Sequence, residues 1–206
     1  MKIRKITNHI VEVNFPTQRL LTETFLRFQE SYESPNPKFR NSVFTLGQFI
    51  DWYSQENGGF TYYTDWEGMN IPSYVLTPFI KGLFDPLSPL EEQFVNLFKS
   101  RTDKFYVIGT FGENHESLDH EWAHALYYTD VDYRGKVNQI LKDYNLSDLK
   151  AWLIKRGYCN EVLDDECHAY IIADGDWLEE EEGIVTPTGA FARLVDLFNA
   201  TRGTES

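Results

Sequence analysis

Hydrophobic and polar positions set the first expectations. The alternation in Ile10-Val11-Glu12-Val13-Asn14-Phe15 predicts a strand, stopped by Pro16. From there the rhythm changes. Leu20, Leu21, Phe25, Leu26, Phe28 and Tyr32 fall near helical spacing and predict a helix over Leu20 to Tyr32. Ser34-Pro35-Asn36-Pro37 reads as a turn. Thr45 to Tyr53 reads as a short helix with Thr45 at its cap. Asn57-Gly58-Gly59, followed by Phe60, Tyr62 and Trp66, reads as a hairpin or an irregular aromatic loop within 57–75. Ser73 to Phe84 has helical character. Ser88-Pro89-Leu90-Glu91-Glu92 places Ser at an N-cap, Pro at the first helical position and acids in the first turn, so a helix should run from there to about Lys99.

Phe105-Tyr106-Val107-Ile108-Gly109-Thr110-Phe111 is the clearest strand. Helical periodicity follows over about 116–130, 133–144, 147–157 and 160–174, and again over about 187–201 after Pro187-Thr188. The run Glu179 to Glu182 reads as a solvated face or linker. No internal repeat is visible. The pattern predicts an α+β fold: a small sheet, then a mostly helical C-terminal half. At 206 residues the chain fits one domain, with residues 1–100 as an N-terminal subdomain and 105–174 as a core.

Composition adds limits. The chain is 42% hydrophobic and 16% aromatic, which is globular and sufficient for a core without disulfides. Trp52, Tyr53, Phe60, Tyr62, Tyr63 and Trp66 read first as core and second as a groove lining. The net charge of −13 opposes phosphate backbones and anionic lipid, so neither nucleic acid nor membrane is expected as a partner. Cys159 and Cys167 form no metal or disulfide framework and read as free thiols on one helix. The basic start, Met1 to Lys5, is followed by no apolar run, and no window is long enough to span a bilayer, so the expected location is cytoplasmic.

The chemistry concentrates in His120-Glu121-Trp122-Ala123-His124. On a helix, residues four apart share a face, so both imidazoles can reach one ion, and the intervening Glu can act as general base on water beside it. On a helical wheel Leu118, Trp122, Ala125 and Leu126 form the core stripe. His120 and His124 lie roughly opposite with Tyr127 and Tyr128, and Glu121 sits at the boundary. The rival reading is a surface helix with two incidental histidines. His115 reads as a loop residue before the helix, and Asp119 as help for its cap.

A catalytic zinc needs three protein ligands and an open position. Glu166 is the leading third ligand, because Leu163, Cys167, Tyr170, Ile171 and Asp174 define an inward stripe with Glu166 on its edge. An inward carboxylate is costly unless paired or bound to a cation. A salt bridge is the plainer reading of Glu166. Rival ligands are Asp165, His168 and Asp130. His168 lies off the stripe, exposed or supporting. Asp130 should point away, since Tyr127 stands where a helix-breaking Gly would be needed.

These residues resemble the zincin metallopeptidases, and the gluzincin type most closely, in which a His-Glu-x-x-His helix is completed by a Glu from a later helix. The resemblance covers about 105–174. The Asn-Glu-x-x-x-Asp form of the second motif is absent. It implies a zincin-like fold, with Zn²⁺ held by His120, His124 and Glu166. It also implies that 105–111 is an edge strand beside the motif helix, pairing with an extended peptide or protein substrate. It further implies an oxyanion-stabilising side chain, for which Tyr170 is the first choice and Tyr158, Tyr128 and His168 are alternatives. The expected function is a zinc peptidase in which Glu121 moves a proton from water to the leaving amine. The alternatives are a non-catalytic binding module with a structural or vestigial zinc site, and a metal-free scaffold that binds a partner through its aromatic N-terminal half.

Overall fold

The computed structural model describes residues 1–113 and 118–204, without the side chain of Thr204. The chain falls into two compact units, Met1–Asn114 and His115–Ser206. The expected core of 105–174 is divided by that boundary: its strand belongs to the first unit and its helices to the second. His115 and the start of the helix expected from 116 lie outside the described residues.

The first unit is α+β. Its strands are β1 (Lys2–Lys5), β2 (Ile10–Phe15), β3 (Met69–Pro72) and β4 (Tyr106–Phe111), in sheet order β1-β2-β4-β3. β2 and β4 run parallel, from Ile10 opposite Tyr106 to Phe15 opposite Phe111. β1 joins β2 and β3 joins β4, both antiparallel. This corrects the expectation that 105–111 is an edge strand. β4 is hydrogen-bonded on both sides and has no free edge for an added peptide. The sequence signals this, since a strand buried on both faces reads as a continuous apolar run, as Tyr106 to Ile108 does.

The helices of this unit begin where their caps dictate. In α1 (Gln18–Glu33) the Thr17 hydroxyl accepts from the amide of Leu20. α2 (Leu46–Asn57) opens with a reciprocal box between Thr45 and Gln48 and ends at Gly58, whose φ of +70° few other residues adopt. The region 57–75, read as a hairpin or an irregular aromatic loop, instead holds the short α3 (Tyr62–Asp65) and then β3, whose partner is β4. α4 (Leu76–Ile80) follows a 3-10 turn at Ser73–Val75, so the helix expected over 73–84 is shorter. α5 (Pro89–Phe98) has the Ser88–Glu91 capping box. Glu91 also takes a buried two-point ion pair from Arg27, with both N–O distances 2.6 Å, while Arg27 Nη1 donates to the Phe84 carbonyl. The aromatics are core: Phe25, Phe28, Phe49, Tyr62, Phe79, Phe84 and Phe94 are buried in one cluster, and Trp52, Tyr53, Phe60 and Tyr63 pack against it. Trp66 is exposed.

The second unit is helical in its described residues: α6 (Leu118–Thr129), α7 (Val131–Lys142), α8 (Ser147–Lys155), α9 (Leu163–Ala173), α10 (Gly175–Glu182) and α11 (Thr188–Thr204). α9 is the hub, packing against each of the other five. The acidic run at 179–182 is not a linker. It closes α10, where Leu178 is buried and Glu182 accepts from the Trp152 indole at 2.9 Å. Both cysteines are free, but only Cys167 is on α9; Cys159 precedes a 3-10 turn at Asn160–Val162. Among the described residues no helix is long and apolar enough to cross a membrane.

Candidate metal centre

The site lies wholly in the second unit, on α6 and α9. Both helices are buried on more than one face. On α6, Ala123 and Ala125 are fully buried beside Trp122 and Leu126, and on α9 so are Cys167, Ala169 and Ile171. Small side chains at such positions let helix axes approach closely. Polar residues are thereby carried inside: Glu121, His124 and Glu166 are each at most 7% exposed. Burial on that scale is unfavourable for ionisable groups unless they find partners.

The partners are one another. His120, His124 and Glu166 each offer one ligand atom, all within 4.8 Å of one another. The two Nε2 atoms are 3.1 Å apart, and His124 Nε2 is 3.7 Å from Glu166 Oε2. Bonds of about 2.0–2.1 Å in a tetrahedron separate ligand atoms by roughly 3.4 Å. The two separations at His124 thus lie near that value, and the cluster, with two nitrogens and one oxygen as donors, could hold a cation.

What lies behind the ligands is as informative. His120 Nδ1 is 2.6 Å from Asp174 Oδ2, and His124 Nδ1 is 2.9 Å from Asp165 Oδ1. A carboxylate behind each Nδ1 holds the proton there and leaves the Nε2 lone pair free to ligate. Asp165, weighed as a rival ligand, thus stands behind His124. Asp174 enters the site from the C-terminal end of the same helix.

The electrostatics follow from crowding acids in a buried space. Burial pushes the Glu166 carboxyl up to about 7, with the neighbouring histidines pulling against it. Burial also disfavours a charged His124, but Asp165, Glu166 and Glu121 outweigh it and hold that imidazole well above its ordinary value. Asp165 responds oppositely: burial would raise it, yet His124 and His168 draw it below the usual carboxylate range. Without a metal, protons balance this cluster. A divalent cation would replace them, as metal binding at such ligands releases protons.

The other residues singled out in the sequence fall as follows. Asp130 caps α7 through the amides of Asp132 and Tyr133, both at 2.9 Å, and takes no part in the cluster. The helix does continue past Tyr127, whose hydroxyl donates to Asn138 Oδ1 at 2.7 Å. His168 is not exposed and lies outside the three-residue cluster: it is fully buried, with Nε2 at 2.8 Å from the Tyr133 hydroxyl. Its place off the apolar stripe misled because α9 is enclosed on several sides. The Tyr170 ring packs edge-on against His120 at 4.8 Å, and its hydroxyl is 3.4 Å from that of Tyr158. Burial pushes the Tyr170 hydroxyl up to about 12, so it remains a neutral donor.

No family model, curated protein or solved structure matches this chain. The functional reading therefore rests on the site itself. Sequence reasoning assigned no role to Asp174 or Tyr133. Asp174 was on the inward stripe of α9, and a second inward carboxylate on the helix of Glu166 was the signal available. Tyr133 carried none, because α7 contributes no recognisable motif.

Proposed function

We propose that His120, His124 and Glu166 hold a zinc ion and that the chain is a zinc-dependent hydrolase, best read as a peptidase. The observation that carries this is the convergence of two Nε2 atoms and one carboxylate oxygen while both Nδ1 atoms face carboxylates. An ordinary salt bridge at Glu166 would not need both imidazoles turned the same way. Imidazole and carboxylate donors in a compact three-ligand set suit zinc. His-Glu-x-x-His on one helix suits peptide-bond hydrolysis by resemblance to the zincins.

When bound, the ion supplies Lewis acidity, bringing the pKa of a water near neutrality and polarising a carbonyl. The protein's own part follows from position. Glu121, next to His120 on α6, is buried and close enough to influence both His124 and Glu166. It takes a proton from the attacking water and returns it to the leaving amine. Asp165 and Asp174 keep the imidazoles oriented. Tyr170, a neutral donor beside His120, is placed to steady the developing oxyanion.

The test is elemental analysis of the purified chain and of Glu166→Ala in parallel. About one zinc per chain, much reduced in the variant, is the expected result. A chain that takes up no zinc even after reconstitution would remove the hydrolase reading and favour a metal-free binding module.

A further inference from the structure

The carboxylate behind His124 is not the end of the polar chain. Asp165 Oδ1 faces His168 Nδ1 at 3.7 Å as well as His124 Nδ1 at 2.9 Å. His168 Nε2 in turn meets the Tyr133 hydroxyl at 2.8 Å. His168 is fully buried and Tyr133 is 1% exposed. His168 Nδ1 is buried without a completed hydrogen bond among the described residues, and the Asp165 oxygen it faces is the one already against His124 Nδ1. At 3.7 Å the His168–Asp165 contact is an electrostatic one, longer than a hydrogen bond.

The direction of every hydrogen bond in this chain is fixed by its ends. An ionised Asp165 can only accept, so the neutral His168 that faces it carries its proton on Nδ1, and its Nε2 accepts from the Tyr133 O–H. A neutral imidazole that accepts at Nε2 carries its proton on Nδ1, and that N–H points at Asp165. Asp165, ionised, also receives the Nδ1–H of His124. Nε2 of His124, which faces Glu166 and His120, is then the nitrogen left to hold an ion. Reversing His168 would set an imidazole lone pair against the Asp165 carboxylate.

We propose that Tyr133 and His168 are positioning residues for the metal centre. They form an outer relay, drawn from α7 and α9, that fixes Asp165 and through it the ligating tautomer of His124. The inference rests on the zinc reading above. It goes further in assigning a role to two residues that touch neither metal nor substrate, and in tying α7 to the affinity of a site built on α6 and α9.

The test is zinc affinity, measured by competition with a chromophoric chelator, on wild type, Tyr133→Phe, His168→Asn and His168→Leu. Cobalt-substituted spectra and thermal melts are recorded alongside. Removing one outer partner of a metal-binding histidine typically weakens affinity about 10–100-fold. Tyr133→Phe should fall in the lower part of that range, with an unchanged fold and a shifted cobalt ligand-field spectrum. Asn can present an N–H where His168 Nδ1 does, so His168→Asn should retain more affinity than His168→Leu. Wild-type affinity and an unaltered cobalt spectrum in Tyr133→Phe, with Asn and Leu equivalent at 168, would overturn the relay while leaving the zinc reading intact. A wild-type chain that binds neither metal would overturn both.

Discussion

Single residues set the chemistry through what surrounds them. Glu121 is buried one position after His120, and its proposed work is proton transfer alone. Glu121→Gln should therefore keep zinc and lose about 10²–10⁴ in turnover, read by mass spectrometry on a mixed peptide library. Full turnover in that variant would sink the mechanism. Glu30, in the other unit, is a buried acid with no such use. Burial pushes it up to about 7 from an ordinary 4.5, with Ser34 and Tyr62 pulling against the shift. The folded chain thus holds this proton to higher pH than the unfolded chain does. The stability this proton confers is complete below the ordinary value and is lost as pH rises through about 7, on the order of 3 kcal/mol in all. Glu30→Gln removes the ionisation. Denaturant melts at about pH 5 and about pH 8 should show a smaller loss of stability in the variant than in wild type; parallel losses would contradict the assignment.

At the scale of elements, close packing leaves little tolerance. A Cβ on Gly109 would lie 2.5 Å from Leu21 Cδ1 and 2.9 Å from Phe25 Cε2. The Leu21 methyl can move, but the Phe25 ring is held against Phe15 and Phe94. Gly109→Ala should cost about 1–3 kcal/mol, visible as a lower melting temperature. Local signals of this scale were legible in the sequence. The capped starts of α2 and α5, the periodicity of α1 and α6, and the strand character of β2 and β4 all depend on neighbours a few residues away. What was hidden depends on distant ones. β4 is an inner strand because β2 and β3 flank it, and α9 is enclosed because five helices pack on it. The candidate ligands His120 and His124 were legible because helix geometry alone sets them on one face, and Glu166 because it lies on the edge of the inward stripe of α9. His168 and Tyr133 acquire their places only from packing, as does the pairing of Asp165 and Asp174 with particular imidazoles.

For the molecule as a whole, the candidate metal centre and the sheet belong to different units. Zinc bound to α6 and α9 should stabilise the second unit by mass action, about 2.7 kcal/mol at a hundredfold excess over Kd. Hydrogen exchange should then slow in α6, α9 and the packed part of α7 on adding zinc, while β2 and β4 keep their rates. Slowing confined to a few exposed acidic positions would mark non-specific binding instead.

The sheet of the first unit ends in β1, whose four residues are all exposed. An open strand of that kind is a ready template for a second copy. Yet in a chain of net charge −13 this border is cationic, and Lys2 and Lys5 occupy its two ends. Two copies zipped antiparallel along it would set Lys2 of one against Lys5 of the other, twice over. The Arg4 charge is already spent on Glu12 of its own sheet at 2.6 Å and draws no partner in. This edge strand is thus guarded against fibril-like self-pairing by its own basic residues.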